Sequence, residues 1–266
     1  MEFMIQNLYG WCKQFLNNTL FVLVVACSSN EQTTESKRDT PAIAAQEAKP
    51  DSTDTIATTT HLADTSKPLT STSSVLLTQA QRDALPDSAF VDLLSLDSTF
   101  VLDMRYATDS NFLKAKVYDC DQCLLRAVVA KALVNVQQSL KEKGYRIKLY
   151  DCYRPLDIQK RMWKIMPDDR YVGNPYGNGS IHNKGAAVDL TLVDAQGQEL
   201  DMGTGFDHFG REAHHAFKNL PAQVLDNRKL LKESMENAGF LPITSEWWHY
   251  FYKNNGYSVA NFKPSC

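Results

Sequence analysis

Residues 180–190, SIHNKGAAVDL, set the hardest condition on how this chain can fold. The run Ala186 to Val193 reads as a core strand, yet Asp189 sits inside it. An ionised carboxylate in apolar surroundings is expensive unless something answers its charge. Asp189 must therefore be protonated, paired with a cation, or bound to a metal. Six residues lie between His182 and Asp189, and Gly185 among them lets the backbone turn tightly. An imidazole and a carboxylate brought together suit zinc. Pairing with an arginine, or capping a loop, would answer the same condition, and this segment alone leaves all of these open.

The surrounding pattern is of mixed class. Phe90 to Tyr106 alternates in part and carries β-formers, which predicts one or two strands. Cys123 to Lys143 predicts a helix, with Leu124, Leu125, Val128, Val129, Ala132, Leu133, Val136 and Leu140 on one face and Gly144 as its stop. Arg146 to Cys152 predicts a strand, Leu156 to Met166 a helix after Pro155, and Pro167 to Gly179 a loop. A further helix is expected from about Asn219 to Ala238, and a strand over Glu246 to Tyr252, EWWHYFY. Strands and helices alternate without regular βαβ repetition. The expected fold is α+β, with a mostly antiparallel central sheet flanked by helices.

The N-terminal third is different in kind. Leu20 to Cys27, LFVLVVAC, is a short apolar run ending on a small residue and a cysteine. It is too short for a membrane span and fits the apolar region of a signal peptide. Val24-Val25-Ala26-Cys27 resembles a bacterial lipobox, with Cys27 as the lipidated residue. Residues 28–75 are Ser, Thr, Ala, Asp, Lys, Glu and Gln with scattered Pro, a composition that cannot offset the entropy of ordering. The expected layout is a signal peptide over 1–27, a disordered tether over 28–75, and a folded domain over 76–266. It places that domain in the cell envelope, on the periplasmic side, on a membrane anchor at Cys27. The net charge of -3 shows no basic stripe, which argues against nucleic acid as a partner.

Six cysteines are present. Cys120-Asp-Gln-Cys123 is a lone C-x-x-C, and no second pair completes a zinc site. In an oxidising compartment Cys120, Cys123, Cys152 and Cys266 could form disulfides. Sequence does not give the pairing, and free packed thiols are the other reading.

Two further motifs carry chemistry. In EWWHY, Glu246 and His249 are three apart, so a metal ligand and a proton-transferring carboxylate could lie side by side. In DCYRPL, Arg154 ends a strand and could face a carboxylate or a developing oxyanion. Taken singly, a core histidine and a surface arginine are the commoner roles.

In this order, however, the motifs resemble a family. S-x-H-x-x-G-x-A-x-D appears as Ser180, His182, Gly185, Ala187 and Asp189; E-x-W-H as Glu246, Trp248 and His249; and Y-R-P as Tyr153, Arg154 and Pro155. With RYATDSNF, CLLR and MGTGFDHFGREAHHA, the chain from Leu93 to Phe251 is similar to the zinc D-alanyl-D-alanine dipeptidases. The resemblance implies one zinc ion on His182, Asp189 and His249. It implies Glu246 as general base, Arg154 on the oxyanion, and Ser180, Asp207 and Tyr106 at the substrate's ammonium. The implied reaction is hydrolysis of the dipeptide D-Ala-D-Ala, in cell-wall precursor turnover or D-alanine recovery. His214 and His215 match the family in sequence without an implied role. A D-Ala carboxypeptidase acting on longer stems and a non-catalytic wall-binding module are the competing classes. Asp207 speaks against the first, and Glu246 against the second.

Overall fold

The computed structural model describes residues 76–266. The expected lipobox and tether lie outside the described residues. No described helix is long and apolar enough to cross a membrane.

A five-stranded sheet carries the domain, in the order β2-β4-β5-β7-β6. Its strands are β2 (Val101–Leu102), β4 (Arg146–Asp151), β5 (Ala187–Val193), β6 (Phe240–Pro242) and β7 (His249–Tyr252). β2 runs parallel to β4, and every other pairing is antiparallel. β1 (Phe90–Asp92) and β3 (Leu124–Arg126) form a separate antiparallel pair. The helices are α1 (Gln79–Asp83), α2 (Ala127–Lys141), α3 (Leu156–Ile165) and α4 (Ala222–Asn237). This is the expected α+β sheet with flanking helices.

β5 is the centre of the sheet, and all seven of its residues are buried. That explains why its sequence does not alternate: a strand covered on both faces is apolar throughout. α2 buries Val129, Leu133, Val136 and Leu140 on the expected face. Its buried Gln137 donates to Thr99 Oγ1 at 3.0 Å and accepts from Ile147 N–H at 2.8 Å. A polar side chain inside the core thus fixes the helix against the start of β4. Gly144 follows at φ 84, where the chain leaves α2.

Two expectations are corrected, and one strand was not foreseen. Leu124–Arg126 is strand β3, not the first turn of α2, because its backbone pairs with Phe90–Asp92. The strand in EWWHYFY begins at His249; Glu246, Trp247 and Trp248 lie before it. β6, the strand not foreseen, pairs with β7 through Phe240↔Tyr252.

The cysteines form two disulfides, Cys123–Cys152 and Cys120–Cys266. The two halves of the C-x-x-C motif therefore go to different partners, and free thiols are excluded for all four.

Candidate active site

The site is built across adjacent strands at one end of the sheet. Asp189 on β5 is paired with His249 on β7. On its other side it is paired with Asp151 on β4, across a break in register between Leu149 and Asp151. Such a bulge re-aims side chains. Leu149 pairs with Leu190, so an unbroken ladder would set Tyr150, not Asp151, opposite Asp189.

His182 comes from a short 3₁₀ turn, Ile181–Lys184, just before β5. Ser180 caps that turn: its Oγ accepts from the His182 N–H at 3.3 Å. Gly185 ends it at φ 68, in the left-handed region. A Cβ there would also come within 2.3 Å of Phe90 Cε1. Conformation and space both require glycine where the chain bends from His182 to Asp189.

His182, Asp189 and His249 are buried, and one ligand atom from each lies within 4.8 Å of the others. His182 Nε2 is 3.3 Å from His249 Nδ1 and 3.4 Å from Asp189 Oδ1, and His249 Nδ1 is 2.9 Å from Asp189 Oδ1. Zinc–nitrogen bonds of about 2.0–2.1 Å at a tetrahedral angle set two ligand atoms roughly 3.3 Å apart. The triad fits that spacing. His182 Nδ1 lies 2.8 Å from the Cys152 carbonyl, which makes Nδ1 the donor and leaves the Nε2 lone pair facing the triad. Burial alone would raise the Asp189 carboxyl; the charges and hydrogen bonds of His182 and His249 outweigh it and hold the group below the usual carboxylate range. Burial pulls His182 down, and the charges of Asp189 and Asp151 more than reverse this.

The triad opens into a cavity of about 170 Å³, which Glu246, Arg154, Ser180, Tyr106 and Asp207 also line. Glu246 has its carboxyl pushed up by burial, with His249 opposing and Asp189 reinforcing the shift. Arg154 is buried, as is its partner Asp151. Its Nη1 donates to Gln159 Oε1 at 2.9 Å, and its Nε and Nη2 donate to Asp151 Oδ2 at 3.2 and 2.5 Å. Burial opposes the charge on this guanidinium, but Asp151 outweighs it and keeps Arg154 cationic.

Asp207 stands in a left-handed conformation, at φ 60. Tyr106 donates to its two carboxylate oxygens, at 3.2 Å each. Trp247 Nε1 donates to Thr204 Oγ1 at 2.8 Å and anchors the loop that carries Asp207. Burial, then the charge of Asp189, pushes the Asp207 carboxyl well above its ordinary value. This half-buried carboxyl lines the cavity, where a cationic group could meet it.

All eight residues singled out in the sequence thus line one cavity. Their supports were not singled out: Asp151, Gln159 and Asn183, all wholly buried, hold Arg154 and the turn bearing His182. A buried polar residue inside an apolar stretch was the available signal, as it was for Asp189. His214 and His215 stand elsewhere. The His214 carbonyl accepts from Arg228, and the His215 ring packs against Tyr250, with centroids 6.1 Å apart.

Two imidazoles, a carboxylate, a nearby carboxyl and a guanidinium around one cleft define a metallopeptidase. A family model described as D-ala-D-ala dipeptidase, of peptidase M15, matches residues 87–263. The chain belongs to that family. It is 36% identical over 160 residues to the D-alanyl-D-alanine dipeptidase of Escherichia coli K12, covering 60% of this chain and 82% of that one. It is 33% identical over 197 residues to the enzyme of the same name from Streptomyces coelicolor, covering 66% and 96%. A third, from Enterococcus faecium, is 28% identical over 180 residues, covering 60% and 89%.

Proposed function

We propose that this protein hydrolyses free D-Ala-D-Ala to two D-alanines, using a zinc ion held by His182, Asp189 and His249. One observation carries the reading: a single small cavity joins those donors to Glu246 and Arg154 on the reacting side and to Asp207. The names of the relatives support the substrate.

Zinc on this ligand set supplies Lewis acidity toward a carbonyl and eases deprotonation of water. The chain's own groups do the rest. Glu246 takes a proton from the attacking water on its carboxylate and passes it to the departing amine nitrogen as the C–N bond breaks. Arg154 faces the charge that develops on the carbonyl oxygen. Asp207, steadied by Tyr106, receives the α-ammonium, and the Ser180 hydroxyl adds an acceptor. An ammonium offers a full charge and three donors, which an acylated amine lacks. That distinction favours the dipeptide over a longer stem.

We also place the enzyme in the cell envelope, anchored through Cys27 and recovering D-alanine. The two disulfides support an oxidising compartment. Labelling cells with a lipid probe tests this, and an unlabelled cytosolic protein would refute it.

The reaction is tested by comparing D-Ala-D-Ala with its N-acetyl form, with and without chelator. Zinc-dependent release of D-alanine from the free dipeptide is expected. Preference for the acylated substrate would make the protein a carboxypeptidase, and no zinc-dependent release from either would overturn the reading.

A further inference from the structure

Beyond β7 the chain runs from Lys253 to Cys266 without helix or strand, along the outside of the residues that carry the site. Its contacts are specific. Ala260 N–H donates to the Asn183 carbonyl at 2.8 Å, and the Ala260 carbonyl accepts from Leu156 N–H at 3.3 Å. Tyr153 Oη donates to the Phe262 carbonyl and accepts from the Phe262 N–H, both at 3.1 Å, and the two rings stack with centroids 4.8 Å apart. The end of the segment is fastened by Cys120–Cys266.

The residues it grips adjoin the site in sequence and in space. Tyr153 precedes Arg154, and Asn183 follows His182. Asn183 is wholly buried. Its Nδ2 donates to the Arg154 carbonyl at 2.8 Å, and its Oδ1 accepts from Ser180 N–H at 2.8 Å. Arg154 N–H in turn donates to the His182 carbonyl at 3.1 Å. One asparagine thus ties together Ser180, His182 and Arg154, and its own carbonyl is held by the C-terminal segment.

We infer that residues 253–266 are a strap that positions the metal-binding turn and Arg154, with Cys120–Cys266 as its clasp, and that opening the clasp loosens the site while the domain stays folded. The two disulfides divide the work. Cys123 and Cys152 have no exposed surface, so a reductant in water does not meet them in the folded protein. Cys266 is exposed and Cys120 half-buried. A dithiol such as dithiothreitol can therefore break the outer bond alone. Two electrons and two protons leave thiols on Cys120 and Cys266, and the reductant closes to its cyclic disulfide. A segment without helix or strand that has lost its clasp opens locally, and its hydrogen bonds to Asn183 and Tyr153 open with it.

The zinc readout below rests on the site reading given above; the exchange readout does not. The parent, Cys266→Ser, and parent treated with dithiothreitol under native conditions are compared. Amide exchange of peptides spanning 150–157 and 180–185 is followed by mass spectrometry. Zinc affinity is measured against a chromophoric chelator, and kcat and KM on D-Ala-D-Ala. The unclasped forms should exchange faster in both peptides and bind zinc more weakly. Their kcat should fall on the order of tenfold, short of the roughly hundredfold that a 1 Å misplacement brings. Reoxidation should restore all three in the reduced parent and none in Cys266→Ser. If Cys266→Ser does not fold, the reduced parent decides alone, with alkylation locating the new thiols. Exchange and zinc affinity equal to the parent's would overturn the inference. A parent that binds zinc but leaves D-Ala-D-Ala intact would sink the proposed reaction and leave the strap standing or falling on exchange and zinc affinity.

Discussion

Asp151 and Arg154 form a buried ion pair three residues apart, with Nε and Nη2 of the guanidinium both on Oδ2. Tyr118 donates to the other carboxylate oxygen, and so does Cys152 N–H at 2.9 Å. Both oxygens of Asp151 are thus occupied, Oδ2 by the arginine's fork and Oδ1 by Tyr118 and Cys152. Arg154→Lys keeps the charge and loses the fork. We expect kcat to fall by about 10²–10³-fold, the range for losing one oxyanion donor. Arg154→Ala should in addition lower Tm, since stranding a buried partner costs about 3–5 kcal/mol. Steady-state kinetics with thermal unfolding separate the two effects, and a parent-like kcat for the lysine variant would remove Arg154 from the reaction.

Glu246 carries its charge in a place that disfavours it. Its raised carboxyl means that the metal-free fold gives up stability as pH rises through that group's titration. Glu246→Gln does not titrate. It should match or exceed the metal-free parent in Tm at pH 8, while kcat falls by about 10²–10⁴-fold. Zinc content should be unchanged. Melting curves, metal analysis and turnover on the same preparation check all three, and an active variant would rule out the general base assigned here.

Asp207→Asn keeps the shape of the side chain and removes its charge. Hydrogen bonds to charged groups contribute about 1.5–3 kcal/mol, so kcat/KM on D-Ala-D-Ala should fall roughly 10- to 150-fold. Activity on N-acetyl-D-Ala-D-Ala should change far less. Equal losses on both substrates would show that Asp207 does not read the ammonium.

His215 gives a pH signature away from the site. Burial, with Lys232 and Arg228 nearby, lowers its pKa to about 4. The unfolded chain takes up this proton near pH 6.5 and the folded chain does not. Its contribution is present above pH 6.5 and lost as pH falls from there toward 4. Allowing for partial exposure, the loss is on the order of 2 kcal/mol. His215→Gln should flatten the Tm profile between pH 4 and 6.5, and an unchanged slope would reject the assignment.

Much of this was legible in the sequence because apolar patterning and spaced polar residues are local signals. β5 showed itself as an unbroken apolar run, and Asp189 as the residue that did not belong there. The face of α2 followed from its period. What stayed hidden depends on partners far along the chain. Leu124–Arg126 became a strand only because Phe90–Asp92 lies beside it. The cysteine pairing depended on where the C-terminus travels. Asp151 looked like any polar residue at a strand end until the arginine's fork closed on it.

The break between Leu149 and Asp151 has a further implication. β4 carries one residue more than a straight ladder against β5 would need, and the bulge absorbs that surplus, so that Asp151 comes level with Asp189. Side chains alternate between the two faces of a strand, so the count of residues decides what each face receives. Straightening the ladder with no residue removed would leave every named group in the chain. It would turn Asp151 away from the cleft and Tyr150 toward it, and the arginine's fork would lose its seat. The reactive centre thus depends on a bulge as much as on side-chain chemistry, since only the bulged register sets Asp151 opposite Asp189.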